Sequence, residues 1–478
     1  MSAYQSGCEY GYRLYIFVSF ATRWPAAYSV FHILLYKRDS RAALGWIMSC
    51  LFIPYGGPIA YFFFGVNRVR SRATSIKRRL FKIPFESGYA KRSIQHINSY
   101  GLDSIGERIT GTKLTPGNDV SIFHNGDEAY PAMLAAIKSA KKRILLITYI
   151  LKTDHTGNEF IDALSEAVKR GIEVKVIIDG IGEWYSWKKP SKRLRALGIE
   201  VAKFTPPRIL PPNIYINMRN HRKLMIIDNT TAFAGGMNIS DDHRQMPMQP
   251  RRITDIHFSF NGPIVKDLIG IFYDDWLIAS QSKMDCPFPA AEPQPDGYHC
   301  RVIPEDPDEA MDALSLTLQS VIAAAKNTVD IMTPYFIPSR EMIASLQSAS
   351  MRGVRVRIIL PAKNNLIYIH WANRNMLTEL LLWNVEIFYQ PAPFCHSKLL
   401  CIDDHYALVG SANIDPRSLR LNYELGVEIF SHTVNKELTQ HFDEIIAKSE
   451  AISDKDLANR SVPVRLRDSF MSLLSPYL

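Results

Sequence analysis

The sequence predicts an α/β protein of two similar halves with mixed, parallel-rich sheets. A pseudo-twofold axis relates the halves, and an N-terminal helical membrane segment precedes them. Three observations predict this. The pattern H-x-K-x-x-x-x-D occurs twice, as His221 to Asp228 and as His396 to Asp403. The surrounding frame continues in step, because Asp228 to Asn238 lies against Asp403 to Asn413 without a gap, through Gly235-Gly236 or Gly410-Ser411. Finally, Ala42 to Phe64 carries no charged residue, and Arg68, Arg70, Arg72, Lys77, Arg78, Arg79 and Lys82 follow it.

The chain has 478 residues, enough for two large domains and a small appendage. With 47% hydrophobic and 22% charged residues it is globular rather than disordered. A net charge of +9 favours a polyanionic partner, either nucleic acid or an anionic membrane surface. Six scattered cysteines show no metal-binding spacing, which suggests free thiols in a reducing compartment. Cys395, although beside His396, would point to the opposite face of a strand and reads as packing.

Residues 14–36 are apolar but hold Arg23-Trp24-Pro25 near the middle, and a central arginine costs about 2.5–3.5 kcal/mol. A basic step, Lys37-Arg38-Asp39-Ser40-Arg41, follows. As one helix, residues 42–64 would reach roughly 35 Å, against a hydrocarbon core of about 30 Å. Pro54-Tyr55-Gly56-Gly57-Pro58 interrupts that helix, leaving a kinked span or a re-entrant hairpin. The basic cluster beyond Phe64 reads as cytoplasmic and as binding anionic lipid. Two full spans would strand the 37–41 step on the far side, whereas shallow insertion from one face would not.

Residues 1–72 therefore form the membrane segment and 73–112 a basic connector. The first half, 113–282, holds a helix at Asp127 to Ala140, a strand at Arg143 to Leu151, a helix at Asn158 to Lys169 and a strand at Glu173 to Asp179. A Pro-rich linker covers 283–297. The second half, 298–478, repeats the scheme: Arg352-Gly353-Val-Arg-Val-Arg-Ile-Ile matches Arg170-Gly171-Ile-Glu-Val-Lys-Val-Ile. Irregular stretches at 184–193 and 205–219 read as lids or membrane-contacting loops.

Within each motif the His and Lys, two apart on a strand, share a face. The apolar runs that follow suit strands buried on both faces. A twofold between the halves brings both motifs to one cleft. The candidate catalytic set is His221, Lys223, Asp228, His396, Lys398 and Asp403; Asp228 and Asp403 end the buried strands and lean towards a structural part. Asn238, Ser411 and Asn413 are candidate phosphate donors.

These paired motifs resemble those of the phospholipase D superfamily. The run from Asp39 to Trp46, through Pro54 to Pro58 and on to Phe64-Gly65, resembles the N-terminal membrane segment of bacterial cardiolipin synthases. The resemblance implies a two-step transfer with His221 as nucleophile and His396 as acid/base, through a phosphatidyl-histidine. Imidazole suits both tasks near neutral pH, and the lysines would stand at the phosphoryl oxygens. Asp255 and Glu424 would orient the histidines. One phosphatidylglycerol would give up glycerol and a second would accept the phosphatidyl group, giving cardiolipin with no cofactor and no metal. The implied setting is the bacterial inner membrane, with the halves on its cytoplasmic side and anionic lipids, not nucleic acid, as partners. The rival readings are a hydrolytic phospholipase D, a nuclease of the same superfamily and a catalytically dead membrane scaffold.

Overall fold

A computed structural model describes residues 24–37, 40–53, 55–65, 101–207, 217–246, 251–284, 291–307 and 312–475. The basic run Arg68 to Lys82, most of the connector, residues 208–216 and residues 285–290 of the Pro-rich linker lie outside the described residues. The chain forms two compact units, residues 1–72 and 73–478.

In the first unit the apolar run 42–64 is a hairpin, not one helix. The leg Ser40–Phe52 is followed by Gly56–Ala60 and a wide turn at Tyr61–Gly65, which run back along it. The Trp46 and Tyr61 rings meet at 5.5 Å. The reversal needs glycine at 57, because a Cβ there would lie 2.2 Å from the Ser49 carbonyl oxygen. Lys37 Nζ donates to the Gly65 carbonyl at 2.9 Å, so the hairpin's two ends lie together. Thirteen helical residues rise about 20 Å, short of a hydrocarbon core of about 30 Å. Among the described residues no helix is long and apolar enough to cross a membrane. Ile33, Cys50 and Tyr61 pack a small core, while Phe31, Leu51, Phe52, Ile59 and Phe63 face outward.

Among the described residues, the second unit is built on seventeen strands. The first half holds Thr115–His124 (β1), Arg143–Thr148 (β2), Glu173–Asp179 (β3), Glu200–Phe204 (β4), Leu224–Ile227 (β5), Thr231–Gly235 (β6), Ile253–Thr254 (β7) and Ile256–Asn261 (β8). The second holds Tyr298–Glu305 (β9), Thr328–Met332 (β10), Arg355–Pro361 (β11), Glu386–Gln390 (β12), Phe394–Cys395 (β13), Leu399–Ile402 (β14), Tyr406–Gly410 (β15), Glu424–Phe430 (β16) and Glu450–Ile452 (β17). Outward from the middle the order is β1-β8-β6-β5-β2-β3-β4 on one side and β9-β16-β15-β14-β10-β11-β12-β17 on the other. Each order is the image of the other apart from β17. The antiparallel contact of β1 with β9 marks the twofold. The predicted mixture holds, since β2, β3 and β4 run parallel while β5 is antiparallel to β2.

Strand β3 keeps its predicted bounds, and β2 ends three residues early. The two predicted helices start sooner than the apolar period suggests, at Asn125 and His155. For the second, Asp154 supplies the reason: its side chain caps the helix by accepting from the Gly157 amide at 3.0 Å. The helix Leu102–Thr110, read as the end of the connector, instead packs Leu102 and Ile109 into the second half's core. Arg301 holds it there, donating to the Asp103 carbonyl at 2.9 Å while pairing with buried Glu428 at 2.6 Å.

Candidate active site

Strands β5 and β14 are short, apolar and fully buried, so the His-x-Lys that precedes each stands at a fixed strand end. The approach to each histidine is made by the other half. Asn220 bridges Tyr423 in parallel, and the His221 amide donates to the Tyr423 carbonyl at 2.9 Å. Likewise β13 runs parallel to β7, and the His396 amide donates to the Thr254 carbonyl at 2.8 Å. The residue after each partner carbonyl is a carboxylate. Glu424 therefore meets His221 Nδ1 at 3.1 Å, and Asp255 meets His396 Nδ1 at 2.8 Å. Each histidine is thus oriented by the opposite half. With Nδ1 engaged, Nε2 is the nitrogen left for chemistry.

The lysines close the cluster. Lys223 Nζ donates to its own His221 carbonyl at 2.6 Å and lies 5.5 Å over the Tyr149 ring. Lys398 Nζ reaches the His396 carbonyl and lies 3.2 Å from His396 Nε2. The Tyr149 ring meets His221 edge-on at 4.9 Å.

Burial dominates the electrostatics. It lowers the pKa of His221, with Glu424 pulling the other way. Burial, then Lys398 and Lys223, takes His396 well below an ordinary imidazole. Lys223 falls to about 7 because it is buried, and Lys398 is lowered for the same reason. Burial opposes charge on both carboxylates. His221 and Lys223 more than offset it for Glu424, which lies below its usual value, whereas Asp255 is pushed up despite Lys398. Burial in the cleft therefore favours neutral imidazoles.

Asp228 and Asp403 leave the candidate catalytic set. They sit beyond the far ends of β5 and β14, five residues or about 16 Å along the strand from the lysines. The Asp228 carboxylate accepts from the amides of Lys141 (2.8 Å), Lys142 (2.7 Å) and Arg143 (3.0 Å). Asp403 accepts from those of Lys326 (3.1 Å), Asn327 (2.7 Å) and Thr328 (3.0 Å). Both have positive φ, 53° and 52°, at the turn leaving the strand. These are turn clamps. Ser411 is not aimed at a phosphate either: its hydroxyl donates to Glu424 at 2.5 Å and accepts from the Leu425 amide at 3.0 Å. Asn238 accepts from the Ile150 amide at 3.2 Å, and Asn413 donates to Ser418 at 3.2 Å. Cys395 is buried and its thiol is pushed up to about 11 by that burial, as packing would have it.

Sequence reasoning missed three groups, each a departure between the two copies. Arg222, opposite Ser397 in the copy, is fully buried. It pairs with Asp275 at 2.6 Å and with Asp306, and donates to the Glu424 carbonyl at 2.9 Å. His243 meets the His396 ring edge-on, with centroids 6.1 Å apart. His257 pairs with Gly235 across β6 and β8, where the second half pairs Gly410 with Gly426.

Comparison with known proteins identifies the family. A family model described as "Cardiolipin synthase, PLD-like domain" matches residues 133–246 and 318–446. The chain belongs to the cardiolipin synthase family of phospholipase D-like proteins. A second model, "Phospholipase_D-nuclease N-terminal", matches residues 25–65. Within the family the chain is 31% identical to the major cardiolipin synthase ClsA of Bacillus subtilis, over 92% of this chain and 95% of that protein. It is 28% identical to the probable cardiolipin synthase YwiE of the same organism, over 94% and 91%. The crystal structure of a phosphatidylserine synthase from Haemophilus influenzae shares the fold, with a TM-score of 0.62 at 14% identity, covering 79% of this chain and all of that one.

Proposed function

We propose that this protein is a phosphatidyltransferase that makes cardiolipin from two molecules of phosphatidylglycerol. The observation that carries the reading is the crossed pair of His-carboxylate contacts, each beside a buried lysine. Attack by one imidazole on the lipid phosphate forms a phosphatidyl-histidine and expels glycerol, protonated by the other imidazole. That second imidazole then takes the proton from the terminal hydroxyl of the next phosphatidylglycerol, whose oxygen displaces the histidine. Lys223 and Lys398 neutralise the phosphoryl oxygens during both steps.

The resemblance assigns His221 as the attacking group. The electrostatics favour the reverse, because His396 is held further towards the neutral form while Glu424 supports charge on His221. Peptide mapping of acid-quenched enzyme incubated with head-labelled lipid identifies which histidine carries the phosphorus.

The hairpin enters one face of the bacterial membrane and leaves by the same face, which we place on the cytoplasmic side. Its ends meet at Lys37 and Gly65, and its outward surface is apolar. Purified enzyme in phosphatidylglycerol vesicles is expected to yield cardiolipin and glycerol by thin-layer analysis. Phosphatidic acid as the sole product would instead establish a hydrolase.

A further inference from the structure

Beyond β3 the chain turns at Gly182–Tyr185 and enters the helix Pro190–Ala196. The segment is pinned from beneath. Gly182 lies against the Tyr149 carbonyl, where a Cβ would come within 1.7 Å of the oxygen. Buried Glu183 accepts from the Ser191 amide at 3.2 Å, from the Ser191 hydroxyl and from Lys203 Nζ at 2.6 Å. Ser186 donates to the Leu151 carbonyl at 3.0 Å. Between these anchors Trp184 and Tyr185 are exposed, and Trp187 is 100% exposed. A loop so firmly held does not display three aromatic rings through slackness.

The following residues are cations. Lys188, Lys189, Lys192 and Arg193, with Thr153 and Asn158, line an open pocket of about 390 Å³. Arg193 is engaged by Asn158 and by Asp162 at 2.8 Å. Among the described residues no carboxylate pairs with Lys188, Lys189 or Lys192. The element adjoins the candidate active site: Tyr185 lies 6.4 Å from Tyr149, whose ring meets His221.

We propose that residues 184–193 dock the catalytic unit on an anionic bilayer. Trp184, Tyr185 and Trp187 enter the boundary between headgroups and acyl chains, where amphipathic rings are favoured. Lys188, Lys189 and Lys192 hold the phosphate of a lipid headgroup in the pocket. The cleft mouth is thereby set at the surface from which its substrate comes. Nucleic acid offers stacking faces and phosphates too, but there the aromatic residues alternate with cations along a groove. Here they crowd one short loop, which fits a surface. The inference rests on the lipid-phosphate reading above and adds a second contact, distinct from the N-terminal hairpin.

The test uses the full chain on vesicles. Brominated phosphatidylglycerol quenches the fluorescence of tryptophans that enter the bilayer, so the wild type should lose more emission than Trp187→Phe. His221→Ala should keep the full quenching, which separates docking from catalysis. Trp184→Ala/Trp187→Ala and Lys188→Gln/Lys189→Gln/Lys192→Gln should each raise the KM in phosphatidylglycerol mole fraction about tenfold. Both should leave turnover of monomeric, short-chain phosphatidylglycerol unchanged. Equal losses on both substrates, no loss on either, or identical quenching of wild type and Trp187→Phe overturns the proposal. So does full displacement from vesicles by single-stranded DNA or by millimolar inorganic phosphate.

Discussion

Beneath the cleft, the first half carries Phe233, Met237 and His257, and the matching places in the second half carry Leu408, Ala412 and Gly426. Larger side chains fill one core. The other keeps a small cavity of about 40 Å³, lined by Leu314, Leu318, Leu408, Ala412 and Gly426 and reaching Lys398. The paired polar groups at the cleft kept their places: His, Lys, orienting carboxylate and turn-clamping Asp are equivalent in both halves, although Arg222 and His257 have no counterpart. A buried apolar position tolerates a change of volume if its neighbours adjust. A hydrogen-bonded imidazole needs its partner at one distance and angle. The difference between the halves therefore separates what the fold demands from what the chemistry demands.

The comparison breaks most sharply at the histidines. His221→Ala and His396→Ala should each lower transfer at least ~10⁴-fold, as removal of a unit-acting catalytic group does, with lipid product measured by radiolabel. A variant of either that keeps a tenth of the activity would show that the halves work independently. Next come the carboxylates, which are not equal. Glu424 stays charged and Asp255 is pushed towards its neutral form. Glu424→Gln should cost roughly 10²–10³-fold in kcat and Asp255→Asn roughly tenfold, read together with their pH profiles. Equal losses would mean that both act by geometry alone.

Smaller effects concern stability. Arg222→Ala leaves Asp275 and Asp306 buried without their cation and should destabilise by about 3–5 kcal/mol, while Ser397→Ala should cost about 1 kcal/mol, both by denaturant titration. His257 is buried with a pKa lowered to about 4, so the unfolded chain binds its proton first. Its contribution is intact above pH 6.5 and is lost as pH falls from 6.5 towards 4, by up to ~3 kcal/mol. His257→Gln should flatten that part of the stability profile. Gly426, at the matching place, titrates nothing.

Much of this was legible in the sequence, for physical reasons. The duplicated motif fixed two strands, two lysines and two histidines, because buried apolar runs after a charged pair admit few other arrangements. Asp255 and Glu424 could be named only through resemblance, since no local spacing says which half a carboxylate serves. The crossing depends on contacts some 140 and 200 residues apart in the chain. Arg222 and His257 are not legible from the repeat, because a repeat marks where the copies match and these residues are where they differ. Ser411 and the two asparagines had the right chemistry for a phosphate, yet the Ser411 hydroxyl, Asn238 Oδ1 and Asn413 Nδ2 serve the scaffold. The break at Pro54 to Pro58 gave two readings of the membrane segment, and the close approach of Gly57 to Ser49 selects the hairpin.

Because each imidazole borrows its acid from across the twofold, a single half is an incomplete machine. Severing the chain in the linker should give two inert polypeptides that regain activity only when mixed.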